Sequence, residues 1–247
     1  MRKDFTTGSI VSGLLIFALP YMLSCFLQTF YGMADLFVIG QFNGADAISA
    51  VSIGSQVMHM LTVMIVGLAM GSTVLISQAV GKKEEKKIRQ AIGNTVVLFS
   101  LLALLLTILL LLSVDGILFL LSTPPEAVAE TRTYLRICFM GIPLIVAYNI
   151  ISCVFRGIGD SRSPLFFILI ACVFNIALDF LLVGGFHLGA AGAALATVIS
   201  QGVSVVCAFY QIRRHDLLPL SFHKEDFRPC KSVIASLLKI GIPVTCQ

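Results

Sequence analysis

Six stretches of this sequence are free of charge or carry a single charged side chain, and they constrain the fold more tightly than anything else in it. They are Leu14–Ile39, Ala47–Val80, Gln90–Val114, Ile137–Phe155, Ser163–Phe186 and Leu188–Ile212. Each is close to or above the ~20 apolar residues that an α-helix needs to cross the hydrocarbon of a bilayer. Membrane β-strands are ~10 residues long and alternate in polarity, so continuous runs of this length exclude a barrel. Composition agrees: 12% of the residues are charged, against ~25% in soluble domains. The expected fold is an all-α membrane protein. Residues 1–212 form a six-transmembrane-helix bundle, residues 213–231 a cytoplasmic linker, and residues 232–247 the start of a seventh helix.

The net charge of +4 is a matter of topology and does not point to nucleic acid. With the N-terminus inside, 14 Lys and Arg fall on the inner side of the six runs, and only Arg132 and Arg136 fall outside. That asymmetry implies a cytoplasmic N-terminus and a multi-pass protein of the cell inner (plasma) membrane. The basic start Met1-Arg2-Lys3 precedes 26 apolar residues. This is longer than the ~7–15 of a signal peptide, so the first run is read as a spanning helix. The seven cysteines are scattered, with no close pair of the metal-binding or redox type.

Only two charges lie within the six runs, Asp35 and Asp179. A carboxylate at membrane depth costs ~2.5–3.5 kcal/mol on insertion scales, so it faces a polar interior and marks an ion or substrate path, or else it clasps two helices. Asn175 lies one turn before Asp179 and shares its face. Asp35 is five residues before Gly40, Asp179 is five before Gly184, and Thr197 is eight past Gly189 on the returning helix. At 1.5 Å per residue, Asp35, Asn175, Asp179 and Thr197 all fall in one outer-half layer. Two carboxylates, an amide oxygen and a hydroxyl form a hard-oxygen set suited to a small cation. Held together at low dielectric, the two carboxylates also suit proton sharing.

Other features fit around this layer. Gln28, Tyr31 and Asp35 line one face of the first helix, and Pro20 bends it, either as a gating hinge or as a packing kink. The fourth helix places Tyr134 near its outer end and Asn149 deeper. Both are candidates for the cavity and substrate path with Gln28 and Tyr31, although Asn149 suits an interhelical hydrogen bond better than a ligand. Gly67-Leu-Ala-Met-Gly71 and the face of Gly189, Ala193 and Thr197 are small-residue patterns for close helix contact. The second of these is expected to set the Thr197 hydroxyl against the fifth helix. In Arg156-Gly-Ile-Gly-Asp160-Ser-Arg-Ser-Pro164 the aspartate lies in a loop, unlike that of an intramembrane protease, and Ser163-Pro164 reads as the N-cap and first turn of the fifth helix. Ser232–Pro243 matches Ser9–Pro20 at four of twelve positions with an offset of 223 residues. A repeat after an even number of helices implies a second half in the same orientation.

In combination, Pro20, Gln28, Tyr31-Gly-Met-Ala-Asp35, the Arg156–Pro164 loop, Asn175 with Asp179, and the Gly-Ala-rich opening of the sixth helix resemble the amino-terminal half of a multidrug and toxic compound extrusion (MATE) transporter, of the DinF-type branch. The resemblance implies twelve helices in two six-helix lobes and export of small organic cations against entering Na⁺ or H⁺. It places a cation (Na⁺ if sodium-coupled) on Asp35, Asn175, Asp179 and Thr197, and a hinge on Pro20. It implies no cofactor beyond the coupling ion. Partners would be the organic cations, membrane lipid and a second lobe absent from this chain.

Other functions remain open from sequence. A flippase for lipid-linked saccharides would need Arg and Lys in its cavity, which the runs lack. A membrane enzyme would need a nucleophile, dyad or metal cluster; the only carboxylate pair is Asp35 with Asp179, and no run carries a histidine pair at ligand spacing. A non-transporting half-protein, acting as a partner subunit, is the third reading.

Overall fold

The computed structural model describes residues 10–215 and 223–245. The middle of the expected linker, 216–222, lies outside the described residues, as do Arg2 and Lys3. Among the described residues eight α-helices run in chain order: α1 Ile10–Phe42, α2 Ala45–Gly81, α3 Glu85–Leu120, α4 Val128–Met140, α5 Ile142–Gly157, α6 Arg162–Asp179, α7 Gly189–His215 and α8 Lys231–Thr245. A six-residue π turn, Phe180–Gly185, extends α6, and a 3-10 turn, Lys224–Phe227, precedes α8. No strand occurs among the described residues. Among the described residues five segments are long and apolar enough to cross a membrane, and α4 with α5, bent by 47°, makes a sixth if the pair is taken as one span. The fold is all-α, as the runs require.

That bend falls within the fourth run, Ile137–Phe155, where the sequence reading places no break. Pro143, at the start of α5, has no N–H to give to the carbonyl four residues back, so the ladder breaks there. Gly141 occupies the joint, and a Cβ on it would come within 3.0 Å of Val198 Cγ1. The break therefore lets α7 press close to the fourth span.

Helix α2 lies at the centre and packs against α3, α4, α5 and α8. Glycines set these approaches. A Cβ on Gly71 would lie 3.1 Å from the Gly241 nitrogen, and one on Gly67 would lie 2.8 Å from Thr245 Cα. The Gly67–Gly71 pattern thus receives the backbone of α8. Phe155 and Phe167 meet edge to face at 5.8 Å between α5 and α6, the geometry that aromatic quadrupoles favour. Leu101, Leu104, Leu105, Ile108, Leu109 and Leu112 of α3 are exposed, as suits a lipid-facing helix.

The two ends of the bundle differ. At the end holding the α2–α3 and α5–α6 turns, Asp160 accepts hydrogen bonds from the backbone N–H groups of Arg162 (2.9 Å) and Ser163 (3.1 Å), and from the Ser163 hydroxyl (2.5 Å). The carboxylate therefore caps α6, correcting the assignment of that cap to Ser163. Gly159 just before it has φ +90, a conformation that glycine reaches without strain. The segment before α8 is docked against α3. The Cys230 N–H donates to Asn94 Oδ1 at 2.7 Å, and Arg89 pairs with Asp226 at 3.6 Å. At the opposite end the π turn joins α6 to α7. There the close approach falls at Gly192, where a Cβ would lie 3.2 Å from the Leu182 carbonyl oxygen.

Candidate functional site

Three helices converge near the π-turn end of the bundle. Asp35 projects from α1, Asn175 and Asp179 from α6, and Thr197 from α7. All but Thr197 are buried; Asp35 is 2% exposed and Asp179 0%. The Thr197 hydroxyl donates to Asp35 Oδ2 at 3.1 Å. The side chains of Asn175 and Asp179 lie beside the same carboxyl group, close enough to interact with it. Neither meets it with hydrogen-bond geometry, so Asp35 Oδ1, both amide atoms of Asn175 and both carboxylate oxygens of Asp179 are buried polar atoms with no hydrogen-bond partner. Buried polar atoms without partners are costly. Here several converge on one point from two helices.

The local folding explains the convergence. Asn175 and Asp179 are one turn apart on α6, and α6 passes into the π turn directly after Asp179. Wider turns of this kind interrupt α-helices at functional sites. On α1, Asp35 is one turn beyond Tyr31. The Tyr31 hydroxyl donates to the Thr197 carbonyl at 3.0 Å and shares a 2.7 Å hydrogen bond with Ser200 Oγ. The Ser200 hydroxyl itself reaches the Thr197 carbonyl at 2.9 Å. Tyr31 and Ser200 thus tie α1 to α7 one helical turn away from the carboxylates.

The sequence-derived positions separate into two groups. Asp35, Asn175, Asp179, Thr197 and Tyr31 are brought together, and Tyr134 of α4 lies on the same side of the bundle. Its ring lies over Gly54 of α2, where any Cβ would run into it, and its hydroxyl is within electrostatic reach of Asp35 and Tyr31. Gln28 is half-buried on the same helix as Asp35. Asn149 lies elsewhere. Its amide nitrogen donates to the Ile145 carbonyl of its own helix at 2.8 Å, and it lines a narrow gap between α2 and α5 with Thr73, Cys153 and Arg156. The Thr197 hydroxyl was expected against the helix of Asp179; it bonds instead to α1. Pro20 lies within an unbroken α1, and the Ser24 hydroxyl donates to its carbonyl at 2.8 Å.

Ser200 was missed. Its signal was the 3- and 4-residue spacing of Thr197, Ser200 and Ser204, which places three hydroxyls on one face of α7. Ser200 and Ser204 are fully buried, and Ser204 donates to the Phe167 carbonyl of α6 at 2.9 Å.

Chemically, the four side chains offer carboxylate, amide and hydroxyl oxygens with no sulfur or imidazole. Among the described residues no group of three or more His, Cys, Asp and Glu side chains converges, so the donors suit a small hard cation or a proton better than a transition metal.

Comparison with known proteins follows the same lines. The family model described as MatE matches residues 20–181. Bacillus subtilis YpnP, a probable multidrug resistance protein, is 34% identical over 244 residues, covering 99% of this chain and 54% of the relative. Multidrug export protein MepA of Staphylococcus aureus is 27% identical over 240 residues, covering 97% and 53%. Among solved structures, a MATE protein in a bent conformation superposes with a TM-score of 0.90 at 23% identity, covering 96% of this chain and 53% of that one. An outward-facing MATE family multidrug resistance transporter of the MOP superfamily gives 0.88 at 23% identity, covering 97% and 53%. The chain therefore spans about half the length of the curated relatives it matches.

Proposed function

Since this chain belongs to the MatE family, we propose that it forms the first six-helix lobe of a cation-coupled multidrug exporter, in which Asp35, Asn175, Asp179 and Thr197 take up the coupling ion. The observation that carries this reading is the buried pair of carboxylates from α1 and α6 with three of their four oxygens unpartnered. A layer that only clasped helices together would be expected to satisfy those oxygens internally. An ion entering it would be held by Asp35 and Asp179, with Asn175 and Thr197 supplying neutral oxygens. Loading would redistribute the Thr197–Asp35 contact, and with it the packing of α1 on α7.

The substrates in this reading are small organic cations, taken up between this lobe and a second six-helix lobe in the half of the relatives' length that this chain does not cover. The N-terminus is cytoplasmic, which places the Asp35 layer in the outer half of the membrane. Tyr134 and Gln28 flank the path, and Pro20 provides a hinge in α1. The names of the relatives support multidrug export; the donor set supports Na⁺ or H⁺ as the driving ion. Drug-driven Na⁺ or H⁺ flux in liposomes tests the proposal, with a full-length relative beside this chain. The full-length protein is expected to couple drug and ion movement. The 247-residue chain is expected to bind the ion without exporting drug, and export by it alone would contradict the two-lobe reading.

A further inference from the structure

Helix α1 is held unevenly. Beyond Tyr31 its buried side chains are Asp35, Val38 and Ile39, whereas over 13–30 only Ser24 is buried, and Val11, Leu14, Leu15, Leu19, Met22, Leu23 and Phe26 are exposed. Pro20 lies in that loosely held half. It cannot donate to the carbonyl of Ile16, and the Ser24 hydroxyl competes for its own carbonyl, so the ladder is weakest between residues 16 and 24. A long side chain reaches this stretch from α5. Arg156, in the last turn of α5, places its guanidinium carbon 4.8 Å from the centroid of the Tyr21 ring, next to Pro20. The backbones of α1 and α5 do not themselves pack together among the described residues.

Arg156 is well placed for this contact. It borders the gap that Thr73, Asn149 and Cys153 line between α2 and α5. Asp160, the nearest acid in sequence, is engaged in capping α6. Among the described residues no ion pair claims the guanidinium, and the charge rests on the π face of Tyr21.

We propose that Arg156 is a positioning residue whose guanidinium, laid over the Tyr21 ring, latches the proline-containing half of α1 to α5, and that releasing this latch frees that half to swing about Pro20. The inference builds on the hinge reading of Pro20 but is independent of the coupling ion, because the latch lies in the opposite half of the bundle from Asp35 and Asp179. It also gives the Arg156–Asp160 loop two separate roles. Asp160 fixes the start of α6, and Arg156 reaches α1.

The test is hydrogen exchange of the full 247-residue chain in lipid nanodiscs without added cation or drug, comparing Arg156→Gln, Tyr21→Leu, Tyr21→Phe and the Arg156→Gln/Tyr21→Leu pair. The latch predicts exchange of amides 13–24 about tenfold faster in Arg156→Gln and in Tyr21→Leu, with α2 and α5 unchanged. It predicts wild-type exchange in Tyr21→Phe, which keeps the ring, and no further increase in the double variant. Unchanged exchange in Arg156→Gln would overturn the proposal. So would additive effects of the two substitutions, or a Tyr21→Phe variant as fast as Tyr21→Leu. Loss of protection throughout the bundle in Arg156→Gln would also overturn it, by showing that the arginine holds α5 rather than α1. None of these outcomes depends on whether a cation binds.

Discussion

The Thr197 hydroxyl donates to Asp35 Oδ2 at 3.1 Å, joining residues 162 positions apart on α7 and α1. This contact fixes the carboxylate of the first helix against the last helix of the six-span bundle, and leaves its other oxygen without a hydrogen-bond partner. Thr197→Val keeps the shape and removes the donor. It is expected to destabilise the chain by about 0.5–2 kcal/mol, the range for hydrogen bonds between membrane helices, and to weaken cation binding. Thr197→Ser is expected to retain both. Denaturant titration in detergent and cation-dependent melting measure the two effects.

Tyr31 and Ser200 form the other join between α1 and α7. Tyr31→Phe and Ser200→Ala each remove part of one small network, so their effects on stability are expected to be non-additive. A double-mutant cycle should give a coupling of about 0.5 kcal/mol or more. Strict additivity would show that the 2.7 Å contact carries no energy of its own.

Gly71→Leu addresses the seat of α8. The Cβ of any residue at this position runs into the Leu237 carbonyl and lies 3.1 Å from the Gly241 nitrogen, so a branched side chain has no room. The substitution is expected to detach α8 and expose residues 223–245 to protease while leaving α1–α7 protected. Protease sensitivity unchanged from the parent would mean that the glycine is not what admits the helix.

Asp160→Ala removes the acceptor at the start of α6. A loss of about 1 kcal/mol is expected from the missing cap, read as a lower melting temperature with cation binding retained, since Asp160 lies at the other end of the helix from Asp179. Asp160→Asn, which can still accept, is expected to lose less.

The sequence carried much of this because membranes make charge and length informative. Asp35 and Asp179 stand out only because their surroundings are apolar, and counting rises from the turns was enough to place them with Asn175 and Thr197 in one layer. Their partners were harder to assign. Small residues on α7 permit close packing but do not say against which helix, so Thr197 was paired with the helix of Asp179 when the hydroxyl turns to α1. Asn149 shares the polarity of a cavity residue, yet its amide bonds back to its own helix, a choice set by which face of α5 meets α2. The break at Gly141 follows from Pro143, a signal the sequence does carry, whereas the π turn after Asp179 depends on tertiary contacts around Gly192 that no periodicity reports. The docking of α8 was visible as a glycine pattern on α2, without any indication of which helix would fill it.

The central claim is that Asp35 and Asp179 form one ion-binding layer within this lobe. The most direct test is the melting temperature of the purified 247-residue chain as NaCl replaces choline chloride at constant ionic strength, repeated across pH in the absence of Na⁺. A ligand that binds only the folded state stabilises it by RT ln(1 + [L]/Kd), about 2.7 kcal/mol at a hundredfold excess over Kd. A saturable rise with Na⁺, or a pH-dependent change in its absence, is predicted for the parent chain, and Asp35→Asn and Asp179→Asn should each abolish it. A chain whose stability responds to neither Na⁺ nor pH, or an Asp179→Asn variant that responds as the parent does, would contradict the claim.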